Sequence, residues 1–185
     1  MGTPKMIKKV GKILLEEIKR SSRGRVRIVP TRSRGSSVVD RDRSPARRGG
    51  GAQFACVVSA FQGVTDQLLK CAKLAIKSGS SLEELKELKS RHTKTIRVLV
   101  KSKKLQSEAL SYIENLFQEL TSVLDKIQKE KSVSDKNLDL VASFGERLSA
   151  YIVAAHLKGL SALSRAKWAR PELAEWVDAR ELVKT

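Results

Sequence analysis

Apolar residues recur at alternating steps of three and four through residues 81–131, a stretch without one Gly or Pro. From Leu82 the steps lead through Leu85, Lys89, His92, Ile96, Leu99, Lys103, Gln106, Leu110, Ile113, Phe117, Leu120 and Leu124 to Ile127. Ten of these fourteen positions are apolar, the pattern of a coiled-coil-like helix. Unbroken, it would reach ~75 Å at 1.5 Å per residue, more than a domain of this size covers from within. The four polar positions fall in two layers, Lys89 with His92 and Lys103 with Gln106.

Two further helices flank this spine. Phe54, Val57, Phe61, Val64, Leu68, Cys71 and Ala75 predict a helix over residues 53–77, closed by Ser78-Gly79-Ser80, with Gly suited to a left-handed cap. Ser80 or Ser81 then caps the spine, Glu83 and Glu84 sit favourably in its first turn, and the short connection makes the two helices antiparallel neighbours. After residue 131, Ser134 or Asp135 opens a helix with a wide apolar face: Leu138, Val141, Phe144, Leu148, Tyr151, Ile152, Ala155, Leu160 and Leu163. It is predicted to run to Ala169, with Gly145 and Gly159 admitting a close neighbour. Pro171 at a first helical position, with Glu172 and Glu175 behind it, predicts a short last helix to Val183. Nothing resembles a strand pair.

The predicted fold class is therefore all-α, an antiparallel helical bundle built on one long helix. Two architectures are consistent with the pattern. A continuous spine leaves much of its seam beside a single partner helix and in need of another chain. A break at residues 101–104, where the seam is polar, folds the same segments into a four-helix bundle. The absence of Gly and Pro favours the continuous form, which makes Leu82, Leu85, His92, Ile96, Leu99, Leu110, Ile113, Phe117, Leu120 and Leu124 the expected oligomer interface.

Charge changes the picture at the N-terminus. Of the net charge of +17, residues 1–50 carry most: 15 basic side chains against 4 acidic. Residues 5–20 form a short basic amphipathic helix, with Met6, Val10, Ile13, Leu14, Leu15 and Ile18 largely on one side. Such a helix docks on the body, orders on a partner, or lies in a membrane interface. Residues 21–51 are rich in Arg, Ser and Gly and too poor in apolar surface to offset the entropy of ordering. The expected domains are thus a basic arm over 1–51, with a flexible second half, and a helical assembly domain over 52–185.

Guanidinium groups pair with phosphate in a bidentate fork, and no aromatic residue precedes Phe54 to stack on bases. The expected partner is nucleic acid, DNA or RNA, bound through phosphate by Lys8, Lys9, Lys12, Arg20, Arg23, Arg25, Arg27, Arg32, Arg34, Arg41, Arg43, Arg47 and Arg48, with an anionic membrane surface second. Trp168, beside Arg165, Lys167 and Arg170, interleaves bases with an aromatic, but a Trp at a helix end more often closes a core, as does Trp176 with Leu173 and Val177.

Converging chemistry is absent from the sequence. His92 and His156 stand apart with no second ligand at metal spacing, and Cys56 and Cys71 lie fifteen residues apart in one predicted helix, too far for a disulfide. Gly49-Gly50-Gly51 lacks the strand and the Lys-Ser/Thr of a phosphate-cradling loop. No metal, cofactor or small-molecule substrate is expected. No apolar run approaches the ~18 residues of a membrane span, and no secretory signal opens the chain, so an intracellular or virion-borne soluble protein is expected. The expected function is non-enzymatic: a structural protein that self-assembles through its helices and packages nucleic acid through its arm, in the manner of a coat protein. The alternatives are an interaction scaffold whose arm is a targeting signal, or a membrane-surface protein using residues 5–20.

Overall fold

The computed structural model describes residues 3–22, 56–77, 82–163, 174–178 and 180, and within these every regular element is an α-helix. They are α1 (Pro4–Ser22), α2 (Val64–Lys77), α3 (Leu82–Leu99), α4 (Lys103–Glu130) and α5 (Asp135–Leu163). The chain is all-α, with α2 to α5 packed as a bundle and α1 laid against α3 and α5. Most of the Arg-rich arm, Trp168 and Pro171 lie outside the described residues.

The spine breaks. Helix α3 ends at Leu99 and α4 starts at Lys103, so the single long helix is replaced by two that pack on each other. The break falls at the polar layer of the seam, and its exposed carbonyls find partners elsewhere. The His156 ring on α5 lies with Nδ1 3.0 Å from the Leu99 carbonyl, while Gln106 Nε2 donates to the Val100 carbonyl at 2.9 Å. Val100 itself is fully buried. No Gly or Pro is needed where side chains satisfy the backbone in this way.

With the spine folded back, its seam becomes the core of one chain. Leu85, His92, Ile96, Leu99, Ile113, Phe117, Leu120 and Leu124 are buried among this chain's own helices; Leu110 is half-buried and Leu82 is 59% exposed. Each fully buried Leu, Ile or Phe contributes about 1.5–3 kcal/mol, so a single chain gathers most of the seam's hydrophobic gain. Helix α5 touches each of the other four helices, as α3 does, and packs most extensively against α4 and α2. That contact on all sides explains its wide apolar face, with Val141, Phe144, Leu148, Ile152 and Val153 all buried.

The first body helix begins at Val64 rather than residue 53. Residues 56–61 are not helical, and Gly63, at φ 76°, turns the chain into α2. Through Val57, Val58, Ser59 and Ala60 exposure alternates with burial, the pattern of an extended segment crossing a core edge. Cys56 therefore lies outside the helix that carries Cys71; it is exposed, whereas Cys71 is buried and both are free. Residues 174–178 are likewise not helical, against the predicted last helix.

Caps follow local chemistry. Thr3 accepts the Ile7 N–H at its carbonyl (3.1 Å), and Pro4 takes the first helical position of α1. Ser134 Oγ accepts the Asn137 N–H at 3.2 Å and caps α5. Helix α4 ends on Lys131 at φ 48°, a left-handed residue whose N–H donates to the Gln128 carbonyl.

Candidate functional site

The most tightly specified local geometry is the turn into α2. Phe61 is 2% exposed and lies flat on the His92 ring, with centroids 5.5 Å apart and planes 11° from parallel. Arg91 donates from a guanidinium nitrogen to the Gln62 carbonyl at 2.9 Å, so α3 holds the turn from one side. From the other side α5 approaches so closely that a Cβ on Gly145 would stand 2.9 Å from Ala60 Cβ. One turn on, Ser149 Oγ lies 2.9 Å from the Ser59 carbonyl and 3.0 Å from the Glu146 carbonyl, and its one proton serves the pair.

Clamped between α3 and α5, the turn presents Ser59, Gln62, Gly63 and Asp66 to solvent, with Thr65 half-buried and Glu146 exposed on the neighbouring turn of α5. Gly63 has open space where a side chain would be. The Val64 N–H donates to the Phe61 carbonyl at 2.9 Å and the Gln67 N–H to the Gly63 carbonyl at 3.1 Å, so of the first turn of α2 only the Thr65 and Asp66 N–H groups face outwards at its positive end. Asp66, in the first turn, already meets the positive end of the helix with a carboxylate, and Glu146 adds a second negative charge beside the turn.

A second cluster lies on the outer face of α4 and α5. Arg147, 9% exposed, stands over the Phe144 ring at 4.8 Å, donates to Glu119 at 2.9 Å and faces Asp178 at 3.3 Å. The Asp178 contact is an ion pair whose angle falls short of a hydrogen bond. Asp178 also takes a fork from Arg180, at 3.0 Å from Nε and 2.7 Å from a terminal nitrogen, and that fork holds its carboxyl below the usual range. Beside it Tyr112 stacks on Tyr151 at 3.8 Å, and Trp176 meets both edge-on. Residues 174–178 thus strap across α4 and α5.

The histidines are structural in this geometry. His92 is fully buried between Phe61 and Phe117, its Nδ1 2.7 Å from the Leu88 carbonyl, and burial pushes its pKa down to about 4. Burial lowers His156 as well. Each donates through Nδ1 to a carbonyl and leaves Nε2 buried without a partner. Burial also raises the Cys71 thiol to about 11, far from the thiolate that reactivity needs. Lys89 makes its polar layer by pairing with Glu114 of α4 at 2.7 Å, beside a groove of about 200 Å³ between α3 and α4. Among the described residues no group of three metal-ligating side chains occurs, and no helix is long and apolar enough to cross a membrane.

Of the expected nucleic-acid-binding residues, Lys8, Lys9 and Lys12 are exposed on α1. Arg20 belongs to α1 without a described side chain, and Arg23, Arg25, Arg27, Arg32, Arg34, Arg41, Arg43, Arg47 and Arg48 lie outside the described residues. Sequence reasoning passed over the turn at Gly63, because an apolar period ran straight through it. Gly followed at two and three residues by Thr65 and Asp66 is a helix-start signal that would have found it.

No family model matches the chain. It is similar to aspartokinase 1, chloroplastic, of Arabidopsis thaliana, with 33% identity over 113 residues, or 59% of this chain. The match spans about a fifth of that relative, 19% of its length. A contiguous match of that extent includes the end of α2, all of α3 and the start of α4, wherever it starts.

Proposed function

We propose that the helical body is a part of an aspartokinase-like enzyme and that it contributes to binding the amino-acid substrate. The observation that carries this reading is the 33% identity to a kinase of aspartate over more than half of the chain. The turn into α2 supports it. The Thr65 and Asp66 N–H groups and the Thr65 and Ser59 hydroxyls would hold the polar groups of the amino acid, its ammonium facing the Asp66 and Glu146 carboxylates. Rigid clamping by Arg91, Phe61, Gly145 and Ser149 is the preorganisation that such a site requires.

The test uses the whole chain. L-aspartate titrated against labelled protein is expected to shift the amide resonances of Gly63, Val64 and Thr65, and Thr65→Val to weaken binding about tenfold, the worth of one well-made hydrogen bond to a charged group. ATP-dependent phosphorylation of L-aspartate, followed by ADP release, tests the catalytic half separately. Absence of any L-aspartate shift at millimolar concentration overturns the reading.

A second reading rests on charge. With 15 basic and 4 acidic side chains in residues 1–50, the arm suits a phosphate polymer, and a non-enzymatic protein that self-assembles and packages nucleic acid would use it so. Deleting residues 1–51 is then expected to abolish oligonucleotide binding and its salt dependence; unchanged affinity sinks that reading.

A further inference from the structure

Helix α1 is docked by one edge only. Ile7 is 1% exposed, and Gly11 lies against His156, where a Cβ would stand 3.0 Å from the ring. Leu14 and Leu15 are half-buried on the same side. About 100–120° round from Ile7, two large apolar side chains stand in the open, Met6 at 51% and Ile13 at 50% exposure. Seven residues apart, they lie within about 20° of each other around the helix, two turns apart on one line. Lys9 lies about 40–60° to one side of that line and Lys5 and Lys12 about 80–120° round on the same side, with Lys8 further still, and all four are exposed.

We infer that this outer edge of α1 binds the surface of an anionic lipid bilayer, with Met6 and Ile13 entering the headgroup boundary and the lysines pairing with lipid phosphates. Charge and apolarity together select this occupant. A nucleic acid would use the lysines and leave Met6 and Ile13 against water, whereas a bilayer interface takes both. The docked edge supplies what a free amphipathic helix lacks: the body fixes the rotation of α1, so the outer edge is presented without a further ordering cost. Glu17, four residues beyond Ile13, lies within about 20–40° of the same line at its C-terminal end and opposes the binding, so the first two turns sit deepest.

The full-length chain is tested by co-flotation with vesicles of phosphatidylcholine containing about 30 mol % phosphatidylserine, at about 50 mM and 500 mM salt. Binding is expected at low salt, with a loss of about tenfold or more in partitioning for Met6→Ser/Ile13→Ser. Both substituted side chains are exposed, and an unchanged melting curve confirms that the variant folds. The outer-edge site is overturned by absence of vesicle binding, or by binding that Met6→Ser/Ile13→Ser leaves unchanged, since charge elsewhere in the chain then suffices. It is also overturned if the variant lowers oligonucleotide affinity equally, or if light scattering shows that it dissociates a dimer, because the edge would then contact nucleic acid or a second copy.

Discussion

At the scale of single residues, the side chains that matter most have unusual neighbours. Gly145 is the clearest: adding a methyl places carbon 2.9 Å from Ala60 Cβ, which no relaxed contact tolerates. Gly145→Ala gains about 1 kcal/mol of helix propensity, yet the forced shift of the 58–63 turn costs more. A net loss of about 1–2 kcal/mol in urea unfolding is expected, with Ala60→Gly restoring most of it. His92 sets the pH response. Its folded pKa of about 4 lies below the ordinary 6.5, so the unfolded chain binds the extra proton first. Stability is fully present above pH 6.5 and is lost as pH falls towards 4, by on the order of 3 kcal/mol for the full shift. Unfolding free energies measured from pH 7.5 to pH 4 check this, and His92→Phe is expected to flatten the slope. The close approach at Gly145 was legible in the sequence, though not its partner; the role of His92 was not. His92 stood on the seam as a polar layer, but the two Phe rings that enclose it come from different elements, and only packing joins them.

At the scale of elements, periodicity recovered the faces but missed the break after Leu99, the start of α2 at Val64 and the non-helical course of 174–178. The buried positions of α3 and α4 are the seam positions, and Ser134 caps α5 where its side chain indicated. Boundaries failed where a tertiary partner outweighed local preference. The chain between α3 and α4 has no helix breaker, because the groups that satisfy its carbonyls are the side chains of Gln106 and His156. An apolar period likewise continued through Gly63 because the extended segment before α2 buries Val58, Ala60 and Phe61 at spacings that partly mimic a helix. Helix ends also offer a test. Lys131 occupies the left-handed conformation at φ 48°, where glycine is free of strain, so Lys131→Gly is expected to stabilise the fold by about 0.5–1 kcal/mol in thermal or urea denaturation.

At the scale of the whole molecule, the bundle is organised by α5, and the strap of residues 174–178 closes its outer side. Asp178 is 5% exposed and shares Arg147 with Glu119. Asp178→Ala leaves a nearly buried guanidinium with one acceptor fewer and is expected to cost on the order of 2 kcal/mol, together with weakened packing of Trp176, visible as a red shift in its fluorescence. The all-helical architecture was legible in the sequence, since composition and period agree along most of the described chain. The clamped turn was not, since its parts come from residues 59–63, 91–92 and 145–149 and converge only in the fold.

The hydrogen bond from His156 to Leu99 spans fifty-seven residues, and this bears on the order in which the protein comes together. During synthesis, α3 and α4 leave the ribosome before α5 exists to hold the break between them. Over that interval the bend is held by Gln106 and by α2 packed on both helices, without His156. One of the bend's two carbonyl partners therefore arrives late, with α5, and a chain stopped before residue 135 is expected to hold the bend less firmly.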